Sequence, residues 1–198
     1  MQLVAKGLLS RFRKSLNEEG MWGVMRYLGD RVSTAVSERN PLVIRSTDRE
    51  HLLDPEFHLN AFTYREKRLL YSVGQRLRAM IKDGQSSYDA FINCQTHLLS
   101  LADAYVDRVV LEQFQAQIER TESPELKSSL EQLCQLYALH TIEQNKGWYL
   151  EQEYMLSAKT KAIRYLVNDL CADVRKEALA LVAAFDIPEA LLRAPVAV

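Results

Sequence analysis

The stretch Asp54–Lys82, "DPEFHLNAFTYREKRLLYSVGQRLRAMIK", decides the fold class. It opens with Asp54 as a helix cap and Pro55 at the first helical position, where the missing N–H and fixed φ of proline are tolerated. Phe62, Leu69, Val73, Leu77 and Met80 then recur at helical spacing, marking a helix with one buried face. The helix is expected to run to about Lys82, ahead of Asp83-Gly84. Glu66 falls in phase with the apolar stripe, and a carboxylate there must be paired or hydrogen-bonded. Arg65, Lys67 and Arg68 stand beside it in sequence.

The same grammar continues downstream. Ser86 or Ser87 caps a segment whose apolar positions Phe91, Leu98, Leu101, Ala102, Tyr105, Val109 and Val110 lead toward Phe114. "Ser123-Pro124-Glu125" repeats the cap-plus-proline device ahead of a stripe of Leu126, Leu130, Leu133, Tyr137 and His140, which Gly147 interrupts. Ser157 caps a last long helix carrying Ile163, Val167, Leu170, Val174, Ala178, Leu181 and Phe185, stopping before Pro188. Four long helices with short connections predict an all-α, mostly antiparallel bundle.

Working upstream, Met1, Ala5, Leu8, Leu9, Phe12 and Leu16 form one amphipathic stripe with no cap before it. A second helix is expected from about Trp22 to Ser37, after the Gly20 break. "ERNPLVIRSTDREHLLDPEF" then reads as a linker. This divides the chain into residues 1–45, two helices with their linker, and residues 46–198, the bundle. Uncovered, the first stripe would drive self-association or partner binding through residues 1–37.

Composition narrows the function. Of 198 residues, 47% are apolar and 26% charged, enough to bury a core. The formal charge of −1 argues against nucleic-acid binding, which needs clustered excess Lys and Arg. Residues 1–45 hold eight Lys/Arg against four Asp/Glu, a net of +4, and the remainder nets −5. A basic amphipathic start also suits a presequence or a membrane-surface helix. Glu18 and Glu19 follow closely, however, and a core-packing helix has the same pattern. No apolar run approaches the roughly 18–20 residues of a membrane span. Cys94, Cys134 and Cys171, odd in number and widely spaced, suit buried thiols better than a disulfide framework or a zinc site.

Few residues suggest chemistry. His51, Asp54 and His58 have poor spacing for a metal, and Asp54 is better used as a cap. His140 falls on an apolar stripe and reads as a hydrogen-bonded core histidine. There is no Gly-x-Ser-x-Gly elbow and no Gly-x-Gly-x-x-Gly loop. The cluster Tyr64, Arg65, Glu66 and Arg68 is the candidate site. It reads as a structural ion pair at a helix or subunit interface, as a contact for a phosphate-bearing ligand, or as a solvated face.

Five stretches together resemble the C-terminal part of the acyl-CoA oxidases: "MQLVAKGLL", "GMWGVMRYL", "LLDPEFHLNAFTYREKRLL", "LCQLYALHTIEQNKGWYLE" and "VRKEALALVAAFDIPEALLRAPVAV". They follow the family's order across nearly the whole chain. The resemblance implies an FAD-dependent α,β-dehydrogenation of fatty acyl-CoA, with oxygen reduced to hydrogen peroxide. Residues 1–45 would end a dehydrogenase-like helical domain, and residues 46–198 would be the oxidase C-terminal bundle. Met1 would fall just after a Tyr-Glu-Gly segment bearing the family's catalytic glutamate, so no catalytic residue is carried over and the isolated chain is expected to be inactive. Implied partners are the remainder of the oxidase chain and a second subunit in a homodimer. The ending "RAPVAV" lacks a Ser-Lys-Leu type signal, which leaves a bacterial cytoplasm or a peroxisomal protein addressed from elsewhere in its chain. A free-standing helical adaptor is the competing expectation, and a membrane-surface protein is the third.

Overall fold

The computed structural model describes residues 45–187, together with Gly7 and Ser10. The helices expected over residues 1–37 and the final segment 188–198 lie outside the described residues. Within them the chain is helical, with no strand. The order is α1 (Arg49–Leu53), α2 (Pro55–Lys82), α3 (Ser87–Asn93), α4 (Gln95–Arg120), α5 (Pro124–Gln144), α6 (Lys146–Glu151), α7 (Ser157–Val174), a 3-10 turn (Arg175–Glu177) and α8 (Ala178–Ala183).

The local chemistry explains the boundaries. The Asp54 carboxylate accepts the Glu56 N–H at 2.9 Å, and Ser86 accepts the Asp89 N–H at 3.1 Å. Ser123 does the same for Leu126 at 3.4 Å. At the end of α2, Gly84 adopts φ 91°. The Gln85 N–H then reaches the Met80 carbonyl at 3.0 Å, while the Gly84 N–H reaches Ile81 at 3.1 Å. This is a Schellman closure, which requires the left-handed region and therefore favours glycine.

The long helices pack in chain order, α2 on α4, α4 on α5 and α5 on α7. Three contacts fix the α2–α4 direction. Gln115 donates to the Pro55 carbonyl, Arg65 meets Asp107, and Cys94 meets Met80. As α2 rises in number its partner falls, so the pair is antiparallel.

Two apolar groups form the core. Phe57, Ala61, Phe62, Leu111, Leu139, Ile142, Ile163 and Leu170 make up much of one, and Leu69, Leu70, Val73, Leu98, Leu101 and Ala102 make up much of the other. Trp148 packs against both. Each fully buried large side chain contributes about 1.5–3 kcal/mol before ordering costs.

Several expectations are corrected. The helix after Ser86 breaks at Cys94, and its second part runs past Phe114 to Arg120. The break after α5 falls at Asn145, leaving Gly147 inside α6. The buried face of α5 is Cys134, Ala138, Leu139 and Ile142, whereas Leu126 is exposed. Lying against both α4 and α7, this helix buries a broad face, with Leu130 and Tyr137 of the expected stripe packed at its edge. His140 therefore points outward, its Nε2 meeting Gln144 at 2.9 Å, and is no core histidine.

The last helix is also shorter than expected. Leu156, not Ser157, is the residue before α7, and α7 yields to the 3-10 turn after Val174. Phe185 is 76% exposed and Ala178 is exposed, so the stripe loses its cover beyond Val174. Cys94 and Cys134 are buried, as expected, but Cys171 is exposed.

Candidate functional site

Residues 64–68 span little more than one turn of α2, so successive side chains leave it about 100° apart. The structure consequently sends the four candidate residues to different partners. Tyr64 stacks on Tyr154 with ring centroids 4.4 Å apart and meets Trp148 edge-on at 5.9 Å. Tyr154 reaches this place through Glu153, which adopts φ 53° to close α6. Nearby, the buried Tyr149 hydroxyl donates to the Ala61 carbonyl at 3.1 Å, tying α6 to α2.

Within this cluster Glu66 is the most enclosed charge, its side chain only 8% exposed. Its partner is Arg108 on α4, whose Nε donates to the Glu66 carboxylate. Arg108 also meets Glu112 one turn on, at 2.6 Å. Burial works against the Arg108 charge, but the hydrogen bond and charge of Glu66, followed by those of Glu112, outweigh it and raise its pKa. The sequence neighbours Arg65 and Arg68 turn elsewhere.

Arg65 reaches Asp107 at 3.1 Å. Burial raises the Asp107 carboxyl above its usual range, with the Arg65 charge acting in the opposite sense. The Tyr137 hydroxyl donates to the Asp107 backbone carbonyl at 3.2 Å, which carries the network onto α5. Arg68 is exposed, and its Nε donates to Gln152 at 3.0 Å.

Arg65 and Arg68 also line an open-sided groove of about 710 Å³ between α2, the start of α4 and α6. Arg76, Thr96, His97 and Trp148 contribute to its walls. Sequence reasoning missed these residues, although Arg68, Ser72 and Arg76 share one face of α2 at four-residue steps. It also missed Asp107 and Arg108, which no local pattern links to residues 65 and 66.

His51, Asp54 and His58 serve other purposes. Asp54 caps α2, and His58 donates from Nε2 to the Leu52 carbonyl at 2.7 Å. His51 Nε2 meets Lys159 Nζ at 2.9 Å, and that ammonium lies 4.0 Å from the centre of the Phe57 ring.

The acyl-CoA oxidase family model matches residues 54–198, starting at the cap of α2 and taking in all four long helices. The chain belongs to the acyl-CoA oxidase family. It is 36% identical over 197 residues to the peroxisomal acyl-coenzyme A oxidase 2 of Arabidopsis thaliana, covering 100% of this chain and 28% of that protein. It is 31% identical over 201 residues to a mouse acyl-coenzyme A oxidase-like protein, covering 98% of this chain and 30% of the relative. Among solved structures, Arabidopsis thaliana acyl-CoA oxidase 1 superposes with a TM-score of 0.70 at 23% identity, over 92% of this chain and 26% of that one. The chain thus spans under a third of the length of the relatives it matches, and the helical fold of its bundle is one those structures contain.

Proposed function

We propose that this chain serves as the C-terminal helical domain of an FAD-dependent acyl-CoA oxidase. The complete protein would convert fatty acyl-CoA and oxygen to trans-2-enoyl-CoA and hydrogen peroxide in fatty-acid β-oxidation. The observation that carries this reading is a coincidence of boundaries. The family match begins at Asp54, the capping residue that opens α2, and continues through every long helix. In this reading residues 1–45 belong with the upstream helical domain, and residues 46–198 support a homodimer and close over the flavin region. Of the two compartments the sequence left open, the relatives named peroxisomal support the peroxisome.

The groove is open-sided and mixes Leu69, Tyr71 and Trp148 with arginines, amides and hydroxyls, so it forms no enclosed slot for an isoalloxazine ring. No flavin contact is therefore assigned to a residue here, and no proton-abstracting role either. Flavin would supply the redox chemistry of the complete enzyme. Tyr64, Arg65 and Glu66 fit a polar interface that locks α2 against α4 and α6 and so fixes the shape of the bundle.

The reading predicts that the purified 198-residue chain, given FAD and a fatty acyl-CoA, produces no hydrogen peroxide above a buffer control. Sustained peroxide formation dependent on the acyl-CoA would overturn it.

A further inference from the structure

Contacts between α1 and α7 give the direction in which the chain upstream of α1 leaves the bundle. His51 meets Lys159 near the start of α7 at 2.9 Å, while Arg49 meets Asp169, nearer its end, at 3.3 Å. The number falls on α1 as it climbs on α7, so a step back toward residue 45 is a step toward the end of α7. Asp173, one turn beyond Asp169, is held below the usual carboxylate range first by Lys176 and in smaller part by the Arg49 charge. The 3-10 turn and α8 follow directly. There the bundle leaves large apolar side chains in water. Leu179 is 88% exposed and Val182 69%, and Phe185 and Ile187, just past α8, are exposed as well. A contiguous apolar patch of this kind marks a surface that is covered in use.

The same chain carries a second apolar stripe, Met1, Leu8, Leu9, Phe12 and Leu16. Gly7 and Ser10, the described residues of that segment, are helical and exposed. At 100° per residue both lie about 150° from the centre of the stripe, on its polar side. The linker is long enough to bring the two surfaces together. Residues 38–44 span at most about 25 Å when extended, and the ten residues from Asp169 to Leu179 rise about 15 Å. Two helices joined by a short turn at Gly20 would form a hairpin that returns the stripe toward the linker. We propose that the apolar stripe of residues 1–16 docks on Leu179, Val182 and Phe185 within the same chain, so that each surface covers the other. Tethering gives this partner a high effective concentration, which favours it over a second copy. The contact goes beyond the oxidase reading and does not rest on it.

A photoactivatable benzoylphenylalanine placed at Phe12 of the full chain is the probe. Irradiation of a dilute sample, then trypsin and mass spectrometry, should show a crosslink within one chain to the peptide 177–193, with the adduct on residues 179–187. Val182→Asp with Phe185→Asp, at two exposed positions, should abolish that crosslink while the helical circular dichroism is retained. In the reciprocal experiment, Leu8→Asp with Phe12→Asp should quicken hydrogen exchange at residues 179–185 and leave α5 unchanged. An adduct joining two chains would overturn the proposal in favour of self-association. So would an adduct elsewhere in the bundle, no adduct, or exchange at residues 179–185 indifferent to Leu8 and Phe12.

Discussion

Replacing Arg108 with methionine is expected to destabilise the bundle by about 3–5 kcal/mol, because it strands a buried carboxylate. Glu66 stands on the face of α2 that packs against α4, and Arg108 donates to it. Glu112, the second partner of Arg108, is 35% exposed and can be solvated instead. The paired replacement Glu66→Leu with Arg108→Met should recover much of the loss, since apolar side chains of similar volume often match or exceed a buried ion pair. Urea unfolding of the two single variants, the double variant and the unmodified chain measures the coupling. Additive losses in the double variant would show that the two charges do not depend on one another.

The second large effect is a dependence on pH. His58 is 1% exposed and gives its Nε2–H to the Leu52 carbonyl, and its burial favours the neutral ring. Burial lowers its pKa from 6.5 to about 4, against the opposing pull of the Leu52 hydrogen bond and the Asp54 charge. The unfolded chain therefore takes up a proton at His58 well before the folded chain does. The associated stability is fully present above about pH 6.5 and falls away as the pH drops toward 4. It amounts to about 3 kcal/mol over that window. His58→Gln keeps a donor for the Leu52 carbonyl but cannot titrate. The stability difference between the unmodified chain and this variant should shift by that amount between neutral pH and pH 4, to the disadvantage of the unmodified chain. Parallel pH profiles would contradict a neutral buried His58. The neighbouring His51, also lowered by burial and by the Lys159 charge, is present in both proteins and cancels.

What the sequence disclosed follows from how far each determinant reaches. Asp54-Pro55, Ser86 and Ser123-Pro124 were readable because a cap acts on amides two or three residues away. That Glu66 needed a partner was also readable, since phase alone places it on the buried face. Its partner was not, because Arg108 lies 42 residues on and is brought there by α4 packing. The break at Cys94 carries no Gly or Pro, so nothing local marks it. There the chain buries Ala90 and Cys94, and Cys94 Sγ meets Met80. The face of α5 was read only in part: Leu130 and Tyr137 do pack against the core, but a helix covered from two sides has no single stripe, and Cys134, Ala138, Leu139 and Ile142 are its most buried residues. The groove likewise gathers Arg68, Arg76, His97 and Trp148 from three elements, of which only the α2 arginines share a local spacing.

The central claim is that this bundle does the work of an acyl-CoA oxidase C-terminal domain. The direct measurement is a graft, in which the 198-residue chain replaces the matching 28% of the Arabidopsis thaliana acyl-coenzyme A oxidase 2. The account predicts that the purified chimera retains FAD and forms hydrogen peroxide from a fatty acyl-CoA. A chimera that is folded and helical but free of flavin and inactive, beside an active control rejoined at the same junction, would contradict it.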